Sequence, residues 1–122
     1  MPKVVFDTSF LIAVAEEPTN WYDDISECVG KFEPTLLVCV SKELEALSRG
    51  SGRRARRASL ASTLAKGFRI DKCGRASVDD EIISFAQSNE AVVATLDREL
   101  IRTLRSLGLK GVTLRRGRVA LV

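Results

Sequence analysis

With 122 residues, 45% of them hydrophobic and 29% charged, the chain can bury one ordinary core, and it has no run of about 18 apolar residues able to cross a membrane. It contains no histidine, which excludes Ser-His-Asp and Cys-His nucleophilic machinery and every His-ligated zinc site, so any catalysis must run on carboxylates, hydroxyls or lysine. The net charge of +3 is modest but uneven: Lys and Arg gather in "SRGSGRRARRAS" (48–59) and "LRRGRV" (114–119), which points to a polyanionic partner or, for either run alone, to a solvated helix face.

The first element, "KVVF", has the length and β-branched content of a buried strand. "TSFLIAVAEE" then reads as a short helix ending near Pro18. "TNWYDDISECVGKF" reads as a second helix, capped by Thr19 or Asn20 and separated by Pro34 from a strand "TLLVCV". In "SKELEALSR", Ser41 is the expected N-cap, with Glu residues in the first turn and Leu44 and Leu47 on one face. Gly50 and Gly52 break that helix, "RRARRASLASTLAKG" resumes one that Gly67 closes, and "SVDDEIISFAQSNE" starts another at Ser77. The strand "AVVAT", the helix "LDRELIRTLRSLG" ending at Gly108, and the strand "GVTL" with its short tail complete a βα rhythm. That rhythm predicts one α/β domain of three layers around a mostly parallel sheet. Cys28, Cys39 and Cys73, odd in number and widely spaced, are expected to be buried thiols rather than disulfide or zinc ligands. The N-terminus lacks the features of a secretory leader, so a cytoplasmic protein without membrane association is expected.

In open α/β sheets, ligands gather beyond the carboxyl ends of the strands, and the informative acids fall there. Asp7 follows "KVVF" directly, and Asp97 follows "AVVAT" after one leucine. Glu43 is expected in the first turn after "TLLVCV", and Asp79 and Asp80 in the first turn of the helix preceding "AVVAT". Singly, each acid is explained by helix capping or by the macrodipole. Together they would repel one another unless a divalent cation lay between them, and an oxygen-only donor set favours Mg²⁺ or Mn²⁺.

The segments "VVFDTSFLI", "VCVSKELEAL", "SVDDEIISFA" and "VVATLDRELIRTLRSLG", in that order, resemble a PIN-domain ribonuclease across essentially the whole chain. "ATLDREL" is the most specific, being similar to the family's "AT-x-D-x-x-L" segment. The resemblance implies one PIN-like three-layer α/β/α domain over 1–122, hydrolysing RNA phosphodiesters with Mg²⁺ or Mn²⁺ held by Asp7, Glu43, Asp79 and Asp97. Thr8, Ser9 and Thr95 would orient carboxylates or water, with Asp80 behind Asp79, and Arg53, Arg54, Arg56 and Arg57 would take flanking phosphates. "SKELEAL", the basic insert and "SVDD" are closest to the archaeal and eukaryotic rRNA-processing branch, implying rRNA or its precursor as substrate and a ribosome-assembly protein as partner. A VapC-like toxin ribonuclease is the second branch. A catalytically silent RNA-binding scaffold and a receiver-like phosphate module are the alternatives outside nuclease chemistry, and no Gly-rich phosphate loop supports a nucleotide site. Trp21, Ile25, Cys28 and Phe32, at helical spacing, predict a homodimer through the second helix, with a monomer whose helix packs on its own sheet as the competing expectation.

Overall fold

The structure, a computed structural model, describes residues 1–17 and 19–122. Its elements run β1 (Lys3–Phe6), α1 (Thr8–Glu16), α2 (Trp21–Val29), β2 (Glu33–Leu37), α3 (Val38–Ser48), α4 (Gly52–Leu64), β3 (Arg69–Asp71), α5 (Val78–Asn89), β4 (Val92–Ala94), α6 (Arg98–Ser106), β5 (Gly111–Arg115) and β6 (Arg118–Leu121). The strands form one sheet in the order β3-β2-β1-β4-β5-β6, parallel except for the β5–β6 pair. β1 is central because Val4, Val5 and Phe6 are all buried, as a strand covered on both faces requires. The chain builds outward from β1 to β2 and β3 on one side, then to β4 and β5 on the other, so a crevice is due beyond the carboxyl ends of β1 and β4.

The helices close on this sheet through Phe10, Leu11, Leu44, Ile82, Leu100 and Leu104. α4 packs against α1 and α3 with Ala55, Ala58 and Ala61, small residues on one face that let the backbones approach closely. The aromatic residues of the second helix serve the chain's own interior. Trp21 meets Phe6 edge-on and lies beside Phe68, Ile25 and Phe32 are buried, and Tyr22 leans on Phe32 while staying exposed. Of the four residues on which a dimer was expected, Ile25 and Phe32 are buried within the chain and Trp21 and Cys28 are half-buried.

Several sequence expectations are corrected. The strand "TLLVCV" ends at Leu37 and α3 starts at Val38, so Ser41 lies inside the helix rather than capping it. Val40 and Leu44, four apart and both buried, draw the β-branched residues into the helix by packing. Glu43 is therefore the sixth residue of α3, beyond its first turn. Pro34 does not precede β2 but sits in it opposite Val4, where β3 has not yet begun to pair and no rung is lost on that side. The short β3, "RID", has too few residues and too little burial to be seen in the sequence. The helix end expected near Pro18 concerns a residue outside those described. The thiol expectation also fails for two cysteines: Cys39 and Cys73 form a disulfide, with Cα atoms 5.9 Å apart, and Cys28 is free and half-buried.

β6 is fastened to α2 by a single buried acid. Asp24 accepts from Arg118 Nε at 2.8 Å and Nη2 at 3.1 Å, and from the Val119 amide at 3.3 Å. The Arg118 hydrogen bonds hold the Asp24 carboxyl below the usual carboxylate range, against the opposing effect of burial. A lowered folded-state pKa means stability that is present above the ordinary carboxylate range and lost as pH falls through the lowered value. Asp24→Asn is therefore expected to melt several degrees below the native protein at pH 7, with the gap closing as both are titrated into acid; thermal scans across that range measure it.

Candidate functional site

Asp7, Asp79 and Asp97 sit where a sheet strand hands over to a helix or where a helix begins, and Glu43 lies within α3. Asp7 directly follows β1, and its amide donates to the Ala94 carbonyl at 2.9 Å, binding the ends of β1 and β4 together. Though it occupies the N-cap position of α1, its side chain caps nothing. Its Oδ2 instead accepts hydrogen bonds from Ser9 Oγ and Thr95 Oγ1, both at 2.7 Å, with the residue only 7% exposed. Helix capping thus does not account for Asp7. Thr95 is fully buried, and its hydroxyl oxygen also accepts from the Asp97 amide at 3.0 Å, while Ser9 Oγ accepts from the Leu96 amide at 2.9 Å. Each hydroxyl has one proton and gives it to Asp7, so the 3.3 Å approach of Ser9 to Thr95 is a contact rather than a further bond.

Asp97 does cap its helix: Oδ1 accepts from the Glu99 amide at 2.9 Å and the Leu100 amide at 3.2 Å. Its Oδ2 has no hydrogen bond within the described residues. Glu43, exposed on α3, accepts from the Thr8 hydroxyl through Oε1, which ties the second βα unit to the first. Asp79 is the second residue of α5, whose start is fixed by Ser77 accepting from the Asp80 amide at 3.2 Å. Partial burial first, then the charges of Asp7, Asp97, Glu43 and Asp80, push the Asp79 carboxyl above its ordinary value. The four acids therefore share one field, and the Asp79 carboxyl meets it from the helix start.

As placed, however, no three Asp, Glu or Cys side chains among the described residues stand close enough to hold one ion. Asp7, Asp97, Glu43 and Asp80 are nevertheless near enough to act on Asp79 through their charge. The donor chemistry fits a hard divalent cation, since all donors are carboxylate oxygens and the neighbouring acids add to burial in raising the Asp79 carboxyl. Among the described residues the Asp79 carboxyl makes no hydrogen bond, and Glu43 and Asp97 each keep one oxygen without a partner, so these oxygens are available to a cation.

One positioning residue escaped the sequence reading. Glu81 takes the Gly74 amide on Oε1 and the Ala76 amide on Oε2, the latter at 3.2 Å, and so folds the turn that delivers Asp79. Its only sequence signal was a third acid in the first turn of α5. The basic run needs a correction at Arg57, whose Nη2 is 2.7 Å from Glu16 Oε1. Arg57 therefore braces α4 against the last turn of α1, about 12 Å of helix away from Asp7. Arg53, Arg54 and Arg56 remain exposed.

A family model described as a PIN like domain matches residues 4–118. The chain belongs to the PIN-like domain family. Among solved structures, the PIN domain endonuclease Utp24 is similar over 98% of this chain and 90% of its own, with a TM-score of 0.78 at 23% identity. PAE2754 from Pyrobaculum aerophilum is similar over 83% of this chain and 78% of its own, with a TM-score of 0.55 at 20% identity. At such identities these likenesses speak for the fold, and the six-stranded, mostly parallel sheet with its six helices is the PIN-like architecture. No curated protein matches the sequence.

Proposed function

We propose that this PIN-like domain is a metal-dependent endoribonuclease acting on rRNA or its precursor, with Asp7, Glu43, Asp79 and Asp97 as the residues that hold Mg²⁺ or Mn²⁺. The observation that carries the proposal is the placement of buried Asp7 at the joined carboxyl ends of β1 and β4, held by Ser9 and Thr95 beside Asp97, with Asp79 near enough that these acids add to burial in raising its carboxyl. The structurally similar Utp24 is a PIN domain endonuclease, which supports nuclease chemistry, while "SKELEAL" and "SVDD" support the rRNA-processing branch. A cation held by these acids would supply Lewis-acid polarisation and acidification of water. The protein's share is orientation. Ser9 and Thr95 fix Oδ2 of Asp7, Thr8 fixes Oε1 of Glu43, and two amides fix Oδ1 of Asp97, so one oxygen of each of these three carboxylates is pinned. Arg53, Arg54 and Arg56 are free to add contacts to phosphates, which strengthen binding without reading sequence.

Thr95→Val tests this assignment at a residue that would touch neither metal nor RNA. It removes a hydroxyl from Asp7 and an acceptor from the Asp97 amide, and should lower Mn²⁺-dependent cleavage of a structured rRNA fragment about 10- to 100-fold, as loss of a ligand-orienting partner does. Chelation of divalent ions should stop cleavage by the native protein. Cleavage that persists in excess EDTA, or RNA left whole by the Mn²⁺-supplied native protein, would reject the proposal.

A further inference from the structure

Beside the acid cluster, between α6 and β5, runs a groove of about 580 Å³. Arg98, Arg102 and Arg105 line one wall at i, i+4 and i+7 of α6, Arg115 projects from β5, and Ile101 and Leu114 supply apolar lining. All four arginines are exposed, and none takes part in an ion pair among the described residues. For the fold alone this is a poor arrangement. Arg98 stands at the positive end of the helix macrodipole, and Arg98 with Arg102, then Arg102 with Arg105, set like charges against each other one turn apart. Arg105, in the last turn, is the only one of the three that the macrodipole favours. A groove lined by one sign of charge concentrates the opposite sign, and local choices that work against the fold are expected where a ligand compensates them.

Position identifies the ligand's chemistry. The groove opens at Leu96, which lies between Thr95, holding Asp7, and Asp97, and Arg98 follows at once. From Arg98 to Arg105 the helix rises about 10 Å, long enough to follow a stacked strand over several nucleotides at about 3.4 Å each. Arg57, by contrast, is committed to Glu16 at the far end of α1. The geometry points to the α6–β5 groove as the track of the RNA strand leaving the acid cluster, with backbone phosphates against Arg98, Arg102, Arg105 and Arg115. This assignment takes the identity of its polyanion from the ribonuclease proposal.

The test is the salt dependence of binding of a fluorescein-labelled 12-nucleotide oligouridylate, measured by anisotropy in EDTA so that no cleavage intervenes. Replacing all four groove arginines by Gln should flatten the slope of log affinity against log salt by about 0.7 per arginine, near 3 in all, and weaken binding at 100 mM salt on the order of 10²- to 10³-fold. A fourfold Arg→Lys variant should keep the native slope, which shows that charge rather than damage to the fold is read, and thermal melting should show both variants folded. An Arg53→Gln/Arg54→Gln/Arg56→Gln protein should lose less. An unchanged slope in the groove variant, no binding by the native protein, or displacement of the RNA by oligoglutamate as readily as by unlabelled RNA would each overturn the assignment, the last by making the groove an acidic-peptide site. Cleavage of the structured rRNA fragment with Mn²⁺ separates the two proposals. A lost slope without native cleavage keeps the groove and removes the ribonuclease, and cleavage with an unchanged slope does the reverse.

Discussion

Asp7→Asn is expected to cut metal-dependent RNA cleavage by at least about 100-fold, beyond the 10- to 100-fold typical of losing a residue that only orients a ligand. Asn keeps the shape of Asp7 and one oxygen able to accept from Ser9 and Thr95, so the hydroxyl network and the β1–β4 junction should survive. What it removes is charge. Asp7 is the largest charged contributor to the raised Asp79 carboxyl, so in the variant Asp79 should titrate closer to its ordinary value while remaining above it through burial. The fold should be retained or slightly stabilised, because one of several repelling carboxylates is gone. Cleavage assays with Mn²⁺ and an NMR titration of the Asp79 carboxyl measure the two effects separately. Full activity in a pure variant would remove Asp7 from the mechanism, and an unmoved Asp79 would show that the two carboxylates do not share a field.

The strand ends that matter were legible because Val4–Phe6 of β1 and all of β4 are apolar and buried, and each runs into an acid within a few residues. Their parallel pairing then brings Asp7 and Asp97 to one edge with no further information needed. Glu43 was misplaced within its helix yet still reached that edge, because starting α3 earlier turns the side chain without moving it to the other end of the sheet. Its bond with Thr8 is a tertiary contact between βα units and leaves no local trace in the sequence.

The unread parts share a cause. α6 alternates arginines with the buried Leu100 and Leu104, which in sequence is an ordinary amphipathic helix with a solvated face. Only the position of β5 beside it, adding Arg115, turns that face into one wall of a groove. Similarly, Arg57 belongs to a basic run in sequence and to an ion pair with α1 in space. The cysteine pair depended on a strand too short to be recognised. β2 and β3 pair with Leu37 opposite Asp71, and two residues further along each chain stand Cys39 and Cys73.

Breaking that disulfide carries the second large expected effect. Cys39 and Cys73 are 34 residues apart, and closing a loop of that length in the unfolded chain corresponds to about 3–4 kcal/mol of stabilisation. Urea unfolding of the Cys39→Ser/Cys73→Ser protein, or of native protein in a thiol-free reductant, should show a loss of that size. Cys28→Ser should behave like the native protein toward reductant, because Cys28 takes no part in the bond. The bond joins the first turn of α3, which carries Glu43 further along, to the segment leading to Asp79, so disorder of the acid cluster on reduction is the competing expectation. Other bonds oppose it: Glu81 still holds the Gly74 and Ala76 amides, Ser77 still caps α5, and Thr8 still holds Glu43. The reduced protein should therefore be less stable but keep the raised Asp79 carboxyl in its folded form. Undiminished stability after confirmed reduction would mean that the loop is already closed by the β2–β3 pairing in the unfolded ensemble, and an Asp79 returned to its ordinary value would make the disulfide part of the site's framework.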